Sequence, residues 1–143
     1  METVNPKSGC ENSGGLRAGF GRVDITPGNP CFLVGYPHVA RTSTGTHDPL
    51  FASAICLENG GTPLLLISLD LLFITAGSTR ECRRRIGEAT GVPAQNILIG
   101  ATHTHSGPHT ADILAWKDDP VVPPVDREYL EFSVSGTVEA AVN

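Results

Sequence analysis

The sequence lacks the features that mark several large classes of protein. Its net charge is −5 and only 17% of its residues are charged, which gives no indication of nucleic-acid binding. The longest apolar stretch, residues 63–76, is interrupted by Asp70 and is too short to span a membrane. The four cysteines show no Cys-x-x-Cys or zinc-finger spacing, which argues against a disulfide framework. The chain has 143 residues, of which 40% are hydrophobic, and this length and composition suit one globular domain or part of one.

The first residues carry no targeting signal that can be recognised. Residues 1–15 are polar and rich in glycine and serine, without the apolar core of a signal peptide. We therefore expect a flexible tail over residues 1–15 and a folded region over residues 16–143. The compartment is left undetermined, because neither a leader nor a membrane span is visible.

Strand and helix patterns alternate along the folded region and predict an α/β fold. The apolar patterns and turn signals predict strands over residues 18–25, 51–58, 63–70 and 97–101. They predict helices from Ser78 to about Thr90 and from Asp126 onward. We expect a mixed sheet layered with helices.

Two details of the sheet can be predicted from local sequence. The run Leu64-Leu65-Leu66-Ile67-Ser68-Leu69 is apolar at almost every position, which indicates a central strand buried on both faces. Asn59-Gly60 predicts a type I′ hairpin turn before it, because both central residues of that turn need positive φ.

Three of the five histidines lie within residues 102–109, which read THTHSGPH directly after the last predicted strand. In extended chain, residues two apart project to the same face, so His103 and His105 point the same way. They can bind one metal ion together, or one can bind the metal while the other faces a substrate. The alternative is a pair of partly exposed histidines with no ligand. His109 is expected to be a solvent-exposed loop residue.

A resemblance to a known family favours the metal site. Residues 96–108 resemble the Asn-hydrophobic-Thr-His-Thr-His-Ser-Gly-Pro signature of the neutral/alkaline (non-lysosomal) ceramidases. Residues 19–27 are similar to the opening strand of that family, Gly35-Tyr36 to the Gly-Tyr that follows it, and residues 68–71 to a strand end further on. The matches keep their order and cover roughly residues 17–143.

The resemblance implies a zinc-dependent amidohydrolase that cleaves the N-acyl bond of ceramide. On that basis His103 is a zinc ligand, and His105 lies beside the metal and contacts the substrate carbonyl or the tetrahedral intermediate. An amide is a poor electrophile, so a metal that activates water and polarises the carbonyl suits the reaction. The implied substrate is a ceramide-like lipid, reached at a membrane surface, and residues 28–49 are expected near its entrance.

The same resemblance implies that the site is incomplete in this sequence. The family uses a second histidine, a glutamate and a tyrosine as further ligands, all downstream of the first motif. His38 and His47 precede the motif and match none of these ligands. We therefore interpret the chain as the N-terminal portion of a ceramidase-type catalytic domain, whose missing C-terminal part is its expected partner.

Other interpretations remain open at this point. A serine hydrolase that uses Ser106 is disfavoured, because the Gly-x-Ser-x-Gly elbow is absent. A non-catalytic binding module of the same fold is a stronger rival, since a zinc site needs at least three protein ligands. Asp70 either orients a metal-bound histidine or, more simply, caps local backbone amides.

Overall fold

The computed structural model describes residues 15–36, 39–113 and 115–143. The tail predicted for residues 1–15 lies outside this description except for Gly15, and so do Cys10 and His38. In chain order, the strands are β1 (Arg17–Asp24), β2 (Leu33–Val34), β3 (Phe51–Glu58), β4 (Leu64–Leu69), β5 (Ile97–Ala101) and β6 (Gly107–Pro108). The helices are α1 (Ala76–Thr90) and α2 (Arg127–Val142), with a 3₁₀ turn over Ala94–Asn96. Neither helix in the described residues has the length and apolar character that crossing a membrane requires.

Four strands form a mixed sheet in the order β1-β3-β4-β5. Strand β3 is antiparallel to both of its neighbours, β1 and β4, whereas β4 and β5 run parallel. A parallel pair needs a long crossover, and α1 supplies it. The two short strands β2 and β6 pair separately, as Leu33 with Pro108 and Val34 with Gly107. The predicted α/β fold with a mixed sheet and helices is confirmed.

Both helices pack on one face of this sheet and bury its apolar side chains. The core there includes Leu65, Ile67 and Leu69 of β4, which are at most 4% exposed. Helix α2 approaches β1 so closely that a Cβ added to Gly21 would lie 2.0 Å from the carbonyl oxygen of Ala140. Glycine in β1 therefore sets the distance between the helix and the sheet.

Helix ends follow the expected capping chemistry, with one shift. Helix α1 begins earlier than predicted, because the Thr75 side chain accepts a hydrogen bond from the Ser78 amide and acts as the N-cap. Gly91 ends the helix in the left-handed conformation, with φ of 77°. Asp126, from which the second helix was predicted to run, caps α2 by accepting from the Tyr129 amide.

The opposite face of the sheet is exposed among the described residues, which corrects one prediction. Phe20, Ile55, Leu66 and Leu98 are directly paired across the four strands and form one apolar row on this face. Phe20 is 65% exposed and Leu98 60% exposed. Strand β4 is central, as predicted, but it is buried on one face only. We call these four residues the uncovered row.

The hairpin between β3 and β4 also differs from its prediction. Gly60 has a positive φ of 68°, but Asn59 does not have one, so the turn is not type I′. The first pair beyond the loop is Leu57 with Leu64, which leaves six residues in the connection. An Asn-Gly dipeptide suits the two-residue turn but does not impose it when the flanking strands pair further back.

Candidate metal and catalytic site

The histidine motif begins where the parallel strands β4 and β5 end. Open α/β sheets place their ligand sites at this carboxyl edge. Beyond the last strand pair, the amide of Thr102 donates to the Leu69 carbonyl at 2.9 Å, and the amide of His103 donates to the Leu71 carbonyl at 3.0 Å. The start of the motif is therefore hydrogen-bonded to the end of β4 and to the residues that follow it.

At His103 the backbone leaves the extended conformation. Its φ is +65°, in the left-handed region that non-glycine residues rarely occupy. The prediction that an extended chain places His103 and His105 on one face is therefore wrong in its premise. Such strained residues cluster at functional sites, where the surrounding structure holds them in place.

The ring of His103 is oriented by the segment that follows β4. Its Nδ1 lies 3.0 Å from the carbonyl oxygen of Leu72. Since a carbonyl only accepts, Nδ1 carries the proton, and in the neutral ring the lone pair is on Nε2. The ring also makes an edge contact with Phe73, with 5.1 Å between centroids. This pattern, one nitrogen on a carbonyl and the other available, is typical of metal-binding histidines.

His105 is half-buried and packs against a different part of the chain. A Cβ on Gly35 would lie 2.7–2.9 Å from the Cγ, Nδ1 and Cβ atoms of His105. The Tyr36 ring meets the imidazole edge-on at 5.2 Å between centroids. Arg41 lies over Tyr36 at 4.5 Å and donates from Nη1 to the carbonyl oxygen of His105 at 3.1 Å.

The two imidazoles meet despite the turn. Their centroids are 5.0 Å apart and their planes are inclined by 79°. His103 is exposed and His105 is half-buried, so an incoming group can reach both. Within residues 15–36, 39–113 and 115–143, however, no group of three or more His, Cys, Asp or Glu side chains is placed to hold a metal ion. Two imidazoles are fewer than the three protein ligands that a zinc site needs.

The hydroxyl-bearing residues of the motif line a groove that the histidines do not line. A groove of about 770 Å³ is lined by Thr102, Thr104 and Ser106 on one side and by residues 26–31 and 42–50 on the other. Neither His103 nor His105 lines it. The amide of Ser106 donates to Thr104 Oγ1 at 3.3 Å. A serine nucleophile activated by His105 does not fit this arrangement.

Asp70 performs the simpler of its two predicted roles. Its carboxylate accepts from the Phe51 amide at 2.9 Å, and its own amide donates to the Phe51 carbonyl at the same distance. It thereby joins the ends of β3 and β4. The group that orients His103 is a backbone carbonyl, that of Leu72, and not a carboxylate.

His109 is buried, so its predicted exposure is wrong. It is 2% exposed, with Nδ1 2.9 Å from the carbonyl oxygen of Pro123 and Nε2 2.8 Å from that of Ala111. Both ring nitrogens are occupied by backbone oxygens, and the amide of Asp126 donates to the His109 carbonyl. His109 therefore joins the motif to the start of α2 and is not available to a metal.

Sequence reasoning missed the neighbours that hold the two rings. The carbonyl of Leu72 has no sequence signal, because any residue offers one. Gly35-Tyr36 did carry a signal, through its place in the family resemblance, but its contact with His105 did not follow from it. Arg41 carried none.

The chain is similar in sequence to curated neutral ceramidases. It is 34% identical to the neutral ceramidase of Mycobacterium tuberculosis over 100 residues, which is 65% of this chain and 16% of that protein. It is 31% identical to the neutral ceramidase of Drosophila pseudoobscura over 96 residues, which is 64% of this chain and 14% of that protein. The chain thus spans about one seventh of the length of the relatives that it matches. No protein-family model matches it.

Solved structures give the same result for the fold. The neutral ceramidase of Pseudomonas aeruginosa superposes with a TM-score of 0.65 at 24% identity, over 87% of this chain and 20% of that one. A structure described as a ceramidase complexed with C2 gives a TM-score of 0.63 over the same shares. The resemblance to the neutral ceramidases is therefore confirmed: this chain matches a part of those proteins in sequence and has the fold of that part.

Proposed function

We propose that this chain carries the first histidine pair of a zinc-dependent amidohydrolase acting on the N-acyl bond of a ceramide-like lipid. The observation that supports it best is the orientation and exposure of the His103 ring. Its Nδ1 is on the Leu72 carbonyl, its Nε2 lone pair is available, and the ring is exposed at the carboxyl edge of parallel strands. The relatives are neutral ceramidases, and one solved neighbour is described as complexed with C2.

In this proposal His103 binds the zinc ion through Nε2. When bound, zinc supplies an activated water and polarises the amide carbonyl. His105 lies beside it, half-buried, with its ring held on one side by Gly35 and Tyr36. In this proposal it donates a proton or hydrogen bond to the oxygen that becomes negative as the amide carbon turns tetrahedral. One such donor contributes about 3–4 kcal/mol in comparable sites.

The remaining ligands come from outside the described residues. A catalytic zinc site needs three protein ligands, and the described part of this chain contributes one or two. We propose that a C-terminal part of a ceramidase-type catalytic domain supplies them. The uncovered row offers an apolar surface against which that part can pack, since parallel sheets are normally covered on both faces and β4 and β5 form a parallel pair. Substrate then reaches the completed site from a membrane surface, where a ceramide-like lipid resides.

A second candidate is a non-catalytic module of the same fold. The incomplete ligand set among the described residues favours it. The two candidates differ in whether the zinc-loaded protein hydrolyses an amide. The module binds metal or partner without turnover, whereas the enzyme releases fatty acid.

The test combines zinc binding with turnover. Zinc affinity of the 143-residue chain is measured by titration for the wild type, His103→Ala and His47→Ala, and the His103 ring signals are followed by NMR in the wild type and in His47→Ala. His47 is a matched control, because its side chain is 97% exposed and, within the described residues, pairs with Asp48 next to it. We expect zinc to shift the His103 signals, binding to be lost in His103→Ala and kept in His47→Ala. Equal binding by all three proteins would end the proposal.

Fatty acid release from ceramide, with and without a chelator, separates the two candidates. Chelator-sensitive release that requires His103 supports the enzyme. Zinc binding through His103 with no release, even after addition of the C-terminal part of a neutral ceramidase, supports the non-catalytic module.

A further inference from the structure

Gly35 occupies a backbone position that differs from the other left-handed glycines. Its φ is +121°, and a Cβ there would lie 2.7 Å from Cγ and 2.8 Å from Nδ1 of His105. Real Cβ atoms do not approach other atoms below 3.0 Å. Gly60 and Gly91 also have positive φ, of 68° and 77°, but a Cβ on either would meet nothing within 4 Å. Only at Gly35, among these three, does the absent side chain make room for a functional group.

Backbone hydrogen bonds hold the chain in place on both sides of Gly35. Its β2 residues pair with β6, which begins two residues after His105. The amide of Leu33 donates to the Arg41 carbonyl at 2.8 Å, and Phe32 forms a bridge with Thr42. Arg41 in turn donates to the His105 carbonyl. Because the backbone is tied at these points, it cannot withdraw freely to admit a larger residue at position 35.

Packing, and not hydrogen bonding, sets the orientation of the His105 ring. Within residues 15–36, 39–113 and 115–143, no hydrogen bond reaches either ring nitrogen of His105. The ring is instead enclosed by Gly35 along its Nδ1 side, by the Tyr36 edge at 5.2 Å and by the His103 ring at 5.0 Å. A ring held this way keeps its nitrogens available for a substrate while having few orientations open to it.

We infer that Gly35 is a positioning residue for His105: its missing Cβ lets the backbone lie against the imidazole and hold the ring beside His103. The catalytic consequence of this inference rests on the proposed function, whereas the packing of Gly35 against the His105 ring does not. Tyr36 and Arg41 complete the contact from the same segment. An enzyme that needs His105 beside the metal then also needs glycine at position 35.

The test uses the 143-residue chain with four variants: Gly35→Ala, Gly60→Ala, His105→Ala and the double variant of Gly35→Ala with His105→Ala. Gly60→Ala is the control for backbone strain, because its φ is positive but its surroundings are open. The readouts are the midpoint of urea unfolding and the nuclear Overhauser contacts between the His105 and Tyr36 rings. The second readout reports the ring orientation, which strain in the turn alone would not change.

We expect Gly35→Ala to lose the His105–Tyr36 contacts, while Gly60→Ala keeps them. The stability cost of Gly35→Ala should be smaller once His105 is alanine, with a coupling of about tenfold in the folding equilibrium constant. Retained ring contacts in Gly35→Ala, or additive costs in the double variant, would overturn the inference. If Gly35→Ala does not fold, the double variant decides: recovery of folding supports the inference, and failure of both refutes it.

Activity is a separate readout. In a preparation that hydrolyses ceramide, Gly35→Ala should lower kcat by about tenfold or more while zinc affinity is kept, because a misplaced group slows the chemical step. If no preparation hydrolyses ceramide, the proposed function fails, and the ring contacts and the coupling still decide the role of Gly35.

Discussion

The contact between helix α2 and strand β1 can be tested at two glycines of β1. Gly19 and Gly21 are two residues apart and therefore project to the same face of the strand, the face covered by α2. A Cβ on Gly21 would lie 2.0 Å from the carbonyl oxygen of Ala140 and 3.1 Å from its carbonyl carbon. A Cβ on Gly19 would meet only the Cys56 Cβ, at an ordinary 3.9 Å.

Alanine at these two positions should have opposite consequences. For Gly21→Ala, α2 must retreat by at least 1 Å to restore even a 3.0 Å separation, and the obstacle is helix backbone that cannot rotate away. Overpacking of this kind costs about 1–3 kcal/mol. For Gly19→Ala there is room, and alanine reduces the entropy of the unfolded chain, so we expect a change between zero and a gain of about 1 kcal/mol.

The measurement is urea unfolding followed by far-ultraviolet circular dichroism. With a slope of about 1–3 kcal/mol per molar urea, a loss of about 2 kcal/mol lowers the midpoint by about 1 M. The Gly19→Ala midpoint should equal or exceed that of the wild type. If both variants unfold at the same midpoint, α2 does not rest on β1 as described, and the reasoning is refuted.

Three further predictions concern the core and the surface. Tyr129→Phe should lower the free energy of unfolding by about 1–2 kcal/mol, because the buried hydroxyl donates to the Ile25 carbonyl at 2.8 Å; Tyr36→Phe, at an exposed ring, is the control in the same urea assay. At pH 8 a thiol reagent should modify Cys82 last in the native chain, because burial raises its pKa to about 11; equal rates for all thiols before unfolding would contradict this. Hydrogen bonds from Arg84 and Arg85 lower the pKa of Glu81 to about 2, below its ordinary value of 4.5. Their stabilising effect is therefore complete above pH 4.5 and is lost as the pH falls toward 2. In Glu81→Gln the midpoint of urea unfolding should therefore depend less on pH over that interval than in the wild type.

The elements of the fold were largely predictable because their signals are local. Strands β3, β4 and β5 and both helices lie where apolar periodicity and end signals placed them. The errors occurred where a second segment decides the outcome. The loop after β3 takes its form from the pairing of Leu57 with Leu64. The close approach of α2 to the end of β1 was not predicted at all, although a Cβ on Gly136 would lie 2.6 Å from the Ile25 side chain. Periodicity cannot show how closely two elements approach.

The candidate site divides in the same way. The spacing of His103 and His105, and their resemblance to a family signature, identified the site residues, whose zinc and catalytic roles stay predictions. The turn at His103 was not visible, because nothing in residues 102–105 demands a positive φ; the hydrogen bonds to Leu71 and Leu72 impose it. His109 was misjudged for the same reason, since its partner carbonyls at Pro123 and Ala111 are found only in the folded chain.

The short strands β2 and β6 were not visible in the sequence, but the sequence by itself determined the four strands of the larger sheet, both helices and the histidine pair that follows the last of those strands. Those properties depend on neighbours a few residues apart, which a pattern can record. The tertiary structure decided which ring nitrogen is available, which glycine faces His105 and which sheet face is left apolar and exposed. These depend on contacts between residues 30 to 120 positions apart, such as Leu72 with His103 and Gly21 with Ala140, and only the folded chain brings such residues together.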